Sequence, residues 1–267
     1  MAYGLTLEQV RHINRPRPTE LPWGTTTCCT EMEEYSLARL ELKPGAAEPL
    51  HFHPVGGRHA FVEHGEVLVR RLDKTGRASA AVVRPGTTLP LAPFEVHGFS
   101  SRTGAEIYLF GPPGSGPEAV LVETAEDAQH AVALAANNPL PEVGQATTDR
   151  LEKYWGAIET IFSGDVAGKR IFVSKGGQSS LEFHVEKRET YWIHAGLLKV
   201  GLRIGRAENH SIVLRPGESY DIRPGVMHMR IALEDTVIIE ASTRDSDADS
   251  HLVEDGQTYR HIEASAP

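Results

Sequence analysis

His51-Phe52-His53 sets two imidazoles two positions apart. In an extended strand successive side chains alternate between faces, so both rings point into the same space. Two converging imidazoles are part of a divalent-metal site that needs further ligands. Pro54 and Gly56-Gly57 then mark a tight turn, followed by Arg58-His59 and the apolar run Ala60-Phe61-Val62. Another histidine, His97, closes the segment Pro93-Phe94-Glu95-Val96-His97, where a distant strand could deliver it to the same place.

A second copy of this arrangement lies further along the chain. A shift of 131 residues carries His53 onto His184 and His97 onto His228, and also Gly65 onto Gly196, Arg39 onto Arg170 and Gly45 onto Gly176. The same shift carries Arg84-Pro85-Gly86 onto Arg215-Pro216-Gly217. One ungapped offset over so long a span is the mark of a duplicated domain rather than of a solenoid unit.

The elements that must position these histidines are short. Candidate strands in the first half are Leu37–Leu42, His51–His53, Ala60–Glu63, Val67–Leu72, Ala80–Val83, Val96–Phe99 and Ile107–Phe110, separated by Pro44-Gly45, Lys74-Thr75-Gly76 and Pro85-Gly86. In the second half they are Lys169–Ser174, Ser180–Val185, Thr190–His194, Leu197–Ile204, Ser211–Leu214, Ser219–Ile222, His228–Ala232 and Val237–Ala241. Many short strands with Gly and Pro turns predict an all-β fold of two jelly-roll barrels. The expected division is residues 1–120 as an N-terminal domain with a lead-in, 121–150 as a linker, and 151–267 as a C-terminal domain with a tail. Thr124 with Asp127 opens a short helix through Ala136 in that linker, by a capping-box-like start. Thr6–His12 is read as a helical turn or two. Trp23 and Trp155, near the entry of each barrel, are packing lids or sugar-stacking platforms.

Composition narrows the function. The net charge of −9 argues against nucleic acid or an anionic membrane as the main partner. The chain has no apolar run long enough to span a bilayer and no signal-peptide pattern, so a cytoplasmic location is expected. The two cysteines, Cys28 and Cys29, are adjacent, a spacing that strains a disulfide, and are read as thiols. A small-molecule substrate is the expected partner, with a homodimer as an open alternative.

The His-x-His followed by Gly65, and the Pro turn leading to His97, resemble the two sequence motifs of the cupin superfamily. With the repeat, the resemblance implies a bicupin: two double-stranded β-helix barrels and a divalent ion (Mn, Fe, Zn or Ni) for each. In the second half it assigns the ligand positions to Glu182, His184, Glu189 and His228. In the first half it assigns His51, His53 and His97, with Arg58 at the position of the motif's Glu. An arginine has no lone pair to give a metal. Either His59 takes its place through a one-residue bulge, giving four histidines, or three histidines leave an open position and Arg58 clamps an anionic substrate.

Residues 155–260 further resemble the C-terminal barrel of type II mannose-6-phosphate isomerases, through Trp155-Gly156, Glu189-Thr190-Tyr191-Trp192, Gly196, Pro224-Gly225-Val226-Met227-His228, Ile239-Glu240 and Tyr259-Arg260. This implies a metal-dependent isomerase of a small, polar, sugar-like substrate, with Glu240 as candidate base and Arg39, Arg58 or Arg170 available to hold an anionic group; the recurring Arg39 and Arg170 are read first as braces that pair with Glu. A non-haem metal-dependent dioxygenase or oxidase uses the same kind of site. A non-catalytic small-molecule-binding cupin is the third alternative.

Overall fold

The computed structural model describes residues 6–113, 119–124, 126–127, 140–147, 149–203 and 208–263. Stretches such as Val67–Leu72 and Thr236–Thr243 are rich in Val, Ile and Thr, whose branched side chains fit a pleated, half-buried surface. They assemble into two compact units, residues 17–147 and residues 1–16 with 148–267.

The first unit has two sheets. One runs in the order Thr19–Leu21, Gly24–Glu31, Ser36–Leu42, Ala105–Gly111, Arg58–His64, Thr87–Leu91 and Gln145–Ala146. The other runs Val120–Leu121, His51–Phe52, Val96–Ser101, Val67–Leu72 and Ala78–Val83. Leu40, Val62 and Ile107 of one meet Val69, Val83 and Phe99 of the other in a single core. The second unit repeats this plan. Arg150–Lys153, Gly156–Phe162, Val166–Val173, Thr236–Thr243, Glu189–Ala195 and Ser219–Ile222 form one sheet, and Asn209–Leu214, Leu198–Arg203, Met227–Ala232, Leu181–Phe183 and His251–Glu254 the other. The architecture is the two-barrel jelly roll expected from the repeat.

The offset of 131 holds in the strand pairing itself. His51 lies opposite His97, and Glu182 opposite His228; Phe52 lies opposite Val120, and Phe183 opposite His251. Arg39 and Arg170 brace their sheets. Arg39 bonds Glu106 at 2.6 Å and Glu41 at 2.9 Å, and Arg170 lies 3.5 Å from Glu159 and over the Phe172 ring.

The structure adds strands that sequence reading treats as lead-in. Gly24–Glu31 is an eight-residue strand, built by β-branched threonines without apolar alternation. Cys28 and Cys29 point to opposite faces of it, one exposed and one buried, neither in a disulfide. The helix Leu7–Val10 is closed at its start by a capping box between Thr6 and Gln9, and it belongs to the second unit. The Tyr220 hydroxyl donates to Val10 O at 2.6 Å, and Asn14 pairs with Ser219. Gln145–Ala146, which precedes the second barrel, pairs with Thr87–Thr88 of the first. Each barrel therefore takes a backbone partner from the segment that precedes the other. The helix expected from Thr124 to Ala136 lies mostly outside the described residues. At its start Thr124 Oγ1 donates to Asp127 Oδ2 at 2.7 Å and accepts from Asp127 N at 3.2 Å. Among the described residues no helix is long and apolar enough to cross a membrane.

Gly65 and Gly196 end matching strands with φ of 77° and 87°. A Cβ there would meet Gly104 O at 2.2 Å or Asp235 O at 2.1 Å. Gly176 has a similar φ of 78° but open space around it. Gly176→Ala is expected to cost about 1–2 kcal/mol, the left-handed penalty alone. Gly196→Ala must also displace backbone, so thermal unfolding is expected to show the larger fall; equal falls would contradict the close approach.

Candidate metal centres

In the first barrel the pairing of His51–Phe52 with Val96–Ser101 brings His51, His53 and His97 together. One ligand atom from each lies within 4.8 Å of the others, and all three rings are buried. Nδ1 of His51 faces Pro49 O at 3.0 Å, and Nδ1 of His97 faces Glu95 O at 2.9 Å. A carbonyl only accepts, so each proton sits on Nδ1 and the lone pair on Nε2. Both ring nitrogens of His53, and Nε2 of His97, have no hydrogen-bond partner among the described residues. Burial, reinforced by Arg58 and the neighbouring rings, pushes His53 down to about 3. Burial and His51 do the same to His97, also to about 3. These are neutral imidazoles with unshared lone pairs at neutral pH. Left unpaired in the interior, each such nitrogen costs roughly 1–3 kcal/mol. A divalent ion is the partner this donor set fits.

Strand parity separates Arg58 from His59. Arg58 is buried and lines the same cavity as His51 and His53, and burial lowers its pKa to about 10. His59, on the other face of Arg58–His64, is not brought into the cluster. Glu48 joins it unannounced by any motif. It is buried, its Oε1 lies 3.9 Å from His51 Nδ1, and burial raises its pKa.

The second barrel brings Glu182, His184 and His228 within the same 4.8 Å span. His184 Nδ1 faces Asp249 O and His228 Nδ1 faces Val226 O, both at 3.0 Å. Glu189 sits beside them. Its Oε1 is 2.8 Å from His228 Nε2 and accepts from the Tyr191 hydroxyl at 2.8 Å, and its Oε2 is 3.8 Å from His184 Nε2. Burial alone would raise the Glu189 pKa; Lys187, then His228 and His184, hold it well below the usual carboxylate range. Burial opposes the charge on His228, but Glu189 overrides it and raises that pKa. Glu182 follows the pattern: burial raises it, and Arg230 and His228 bring it below its ordinary value. Carboxylates, imidazoles and a buried floor fit a divalent ion here too.

Two residues that sequence reasoning missed organise this site. The Lys187 ammonium, 4% exposed, lies 2.6 Å from Glu189, 2.7 Å from Glu240 and 3.2 Å from Asp245. Arg230 Nη1 is 3.2 Å from Glu182 Oε1, its Nη2 is 3.8 Å from Glu240 Oε2, and its guanidinium lies over the Tyr191 ring. Arg230 was findable, because it stands two residues after His228 on one strand and so shares its face. Lys187 lies on a turn, where no parity applies. Glu240, the candidate base, is buried with Oε1 on Lys187. A cavity of about 410 Å³ opens onto Glu182, His184, Lys187, Arg230 and Glu240, with Trp155 in its wall.

No family model matches the chain, and no curated protein matches it. Among solved structures, one of Bacillus subtilis oxalate decarboxylase whose Mn(II) centres were characterised superposes with a TM-score of 0.67 at 16% identity, covering 89% of this chain and 77% of that one. The formate complex of Lactobacillus farciminis oxalate decarboxylase gives 0.65 at 16% identity, over 90% and 85%. At such identity the likeness is one of fold, the double cupin barrel.

Lys187→Met is expected to leave Glu189 and Glu240 buried without their nearest cation and to cost about 3–5 kcal/mol in denaturant unfolding. Adding Glu240→Gln should return part of that loss. A single variant as stable as the parent would contradict the ion-pair geometry.

Proposed function

We propose that each barrel holds one divalent ion and that the second barrel isomerises a small, polar, sugar-like substrate. The observation that carries the reading is the second cavity, in which metal-ligand residues, a carboxylate–ammonium pair and serine hydroxyls line one space of about 410 Å³. The first ion would be held by His51, His53 and His97, and the second by Glu182, His184, Glu189 and His228. The Mn(II) centres of the Bacillus subtilis decarboxylase support a divalent ion on this fold. The resemblance of residues 155–260 to type II mannose-6-phosphate isomerases supports the reaction.

When bound, the ion supplies Lewis-acid polarisation of a substrate carbonyl. The remaining steps belong to the chain. Glu240 has one oxygen on the Lys187 ammonium at 2.7 Å, while Arg230 Nη2 lies 3.8 Å from Oε2, beyond hydrogen-bond length. Oε2 is thus the oxygen able to take a proton from the substrate carbon, while Lys187 holds Oε1 and fixes the carboxylate in place. Ser179, Ser180 and Lys169 line the same cavity and would hold substrate hydroxyls. Buried Trp155 closes one wall and excludes water. A non-haem oxygenase is the second reading, supported by the two-histidine, one-carboxylate make-up of Glu182, His184 and His228.

Two measurements test this. Elemental analysis of protein stripped by a chelator and reloaded with Mn(II) is expected to find an ion for each barrel, and one fewer in His51→Ala/His53→Ala. In deuterated water without oxygen, a panel of aldoses, ketoses and their phosphates should contain a substrate that gains deuterium at the carbon beside its carbonyl, and chelation or Glu240→Gln should stop the exchange. Oxygen consumption in step with product would assign the site to the oxygenase reading instead.

A further inference from the structure

The first barrel has its own cavity, of about 420 Å³, within the range of roughly 300–1,000 Å³ usual for small-molecule sites. Its walls answer those of the second cavity position by position at the 131-residue offset, with the chemistry changed. Ala38 stands for Lys169, Pro49 for Ser180, Leu109 for Glu240 and Ala119 for Ser250; every one of these eight residues lines its own cavity. At these four positions the first barrel carries the apolar member, while Glu48 stands for Ser179, His51 for Glu182 and Leu121 for Leu252. Gly56 stands for Lys187 and Phe99 for Arg230; the buried cations of the first barrel are instead Arg58 and Arg70, the latter paired with Glu123. What remains polar is Arg58, Glu48 and Glu123 beside the histidines, with the hydroxyls of Thr26 and Thr124.

This contrast disfavours the hydroxylated ligand that suits the second cavity, because hydroxyls placed along Ala38, Pro49, Leu109 and Ala119 would have no partner there. An apolar body gains from the same walls. Arg58 adds a charge requirement. Arg58 is 5% exposed and its guanidinium interacts with Glu31, and five donors in a planar fork allow it to engage a second carboxylate alongside. A carboxylate matches that fork in a bidentate way. Glu123 is already paired with Arg70, so Arg58 is the cation left to meet a ligand's charge, and the apolar walls have no partner for a second one.

We infer that the first barrel binds a small monocarboxylate with an apolar tail, its carboxylate on Arg58 and its tail along Trp23, Leu40 and Leu109. This goes beyond the isomerase reading and stands without it, since it concerns another cavity and needs no turnover.

Isothermal titration of the full chain, as purified and again after chelation, tests it with hexanoate and phenylacetate as probes and 1-hexanol, oxalate and glucose 6-phosphate as controls. Both probes are expected to bind once per chain, about tenfold or more tighter than each control, with and without chelation. Arg58→Gln should weaken them by about tenfold or more, as loss of a charged hydrogen-bond donor does. Ala38→Phe, which fills the cavity and leaves Arg58 in place, should abolish binding and serves if Arg58→Gln does not fold. Equal binding of hexanol and hexanoate would overturn the inference. So would binding that vanishes on chelation while ignoring Arg58→Gln, or binding that survives Ala38→Phe.

Discussion

Each site depends on one antiparallel cross-strand pair. His51 opposes His97, and Glu182 opposes His228. Residues opposed in this way have Cα atoms roughly 4.5–5.5 Å apart, so side chains on the same face must meet. A slip of one residue would turn every ligand to the other face. The two cores, with Val69 and Phe99 in one and Val200 and Leu202 in the other, fix that register by burying the neighbouring positions of the same sheets. The rings are then locked by backbone carbonyls: Pro49, Glu95 and Val226 each face the Nδ1 of a histidine two residues on. The sites are prepared by the sheets before any ligand arrives.

On this shared frame the two barrels hold opposite electrostatics. The first surrounds neutral imidazoles with apolar walls. The second sets half-buried Glu182 beside buried Glu189 and Glu240, which only compensating cations make tolerable, since an isolated buried carboxylate would neutralise instead. Lys187 and Arg230 are those cations. The gene duplication implied by the repeat therefore kept the pairing and the histidines and exchanged the residues around them. One chain carries two cavities of nearly equal size and differently charged linings.

What was legible in the sequence follows from what is local. The i, i+2 spacing of His51 and His53 states their shared face, and the ungapped offset states the duplication. Gly and Pro punctuation states the strand lengths, hence the all-β barrels. The rest was non-local or without a pattern. Nothing near Asn14 says that it pairs with Ser219, and nothing in Gly24–Glu31 alternates between apolar and polar. The choice between Arg58 and His59 hung on the Gly56-Gly57 turn. Gly56 takes a φ of 63° there, packed where a Cβ would meet Pro112 at 2.3 Å, and the strand enters with Arg58 on the cavity side. Lys187 escaped notice because a turn residue declares no face, and its three carboxylates come from Glu189, Glu240 and Asp245, two of them more than fifty positions away.

The central claim is that both barrels hold a divalent ion at equivalent places. Anomalous diffraction from a crystal of the full chain grown with Mn(II) tests it most directly. Two peaks per chain are expected, one enclosed by His51, His53 and His97 and the other by Glu182, His184, Glu189 and His228. A map with no peak at either cluster, with Lys187 still seated on Glu189 and manganese bound only by surface carboxylates, would contradict it.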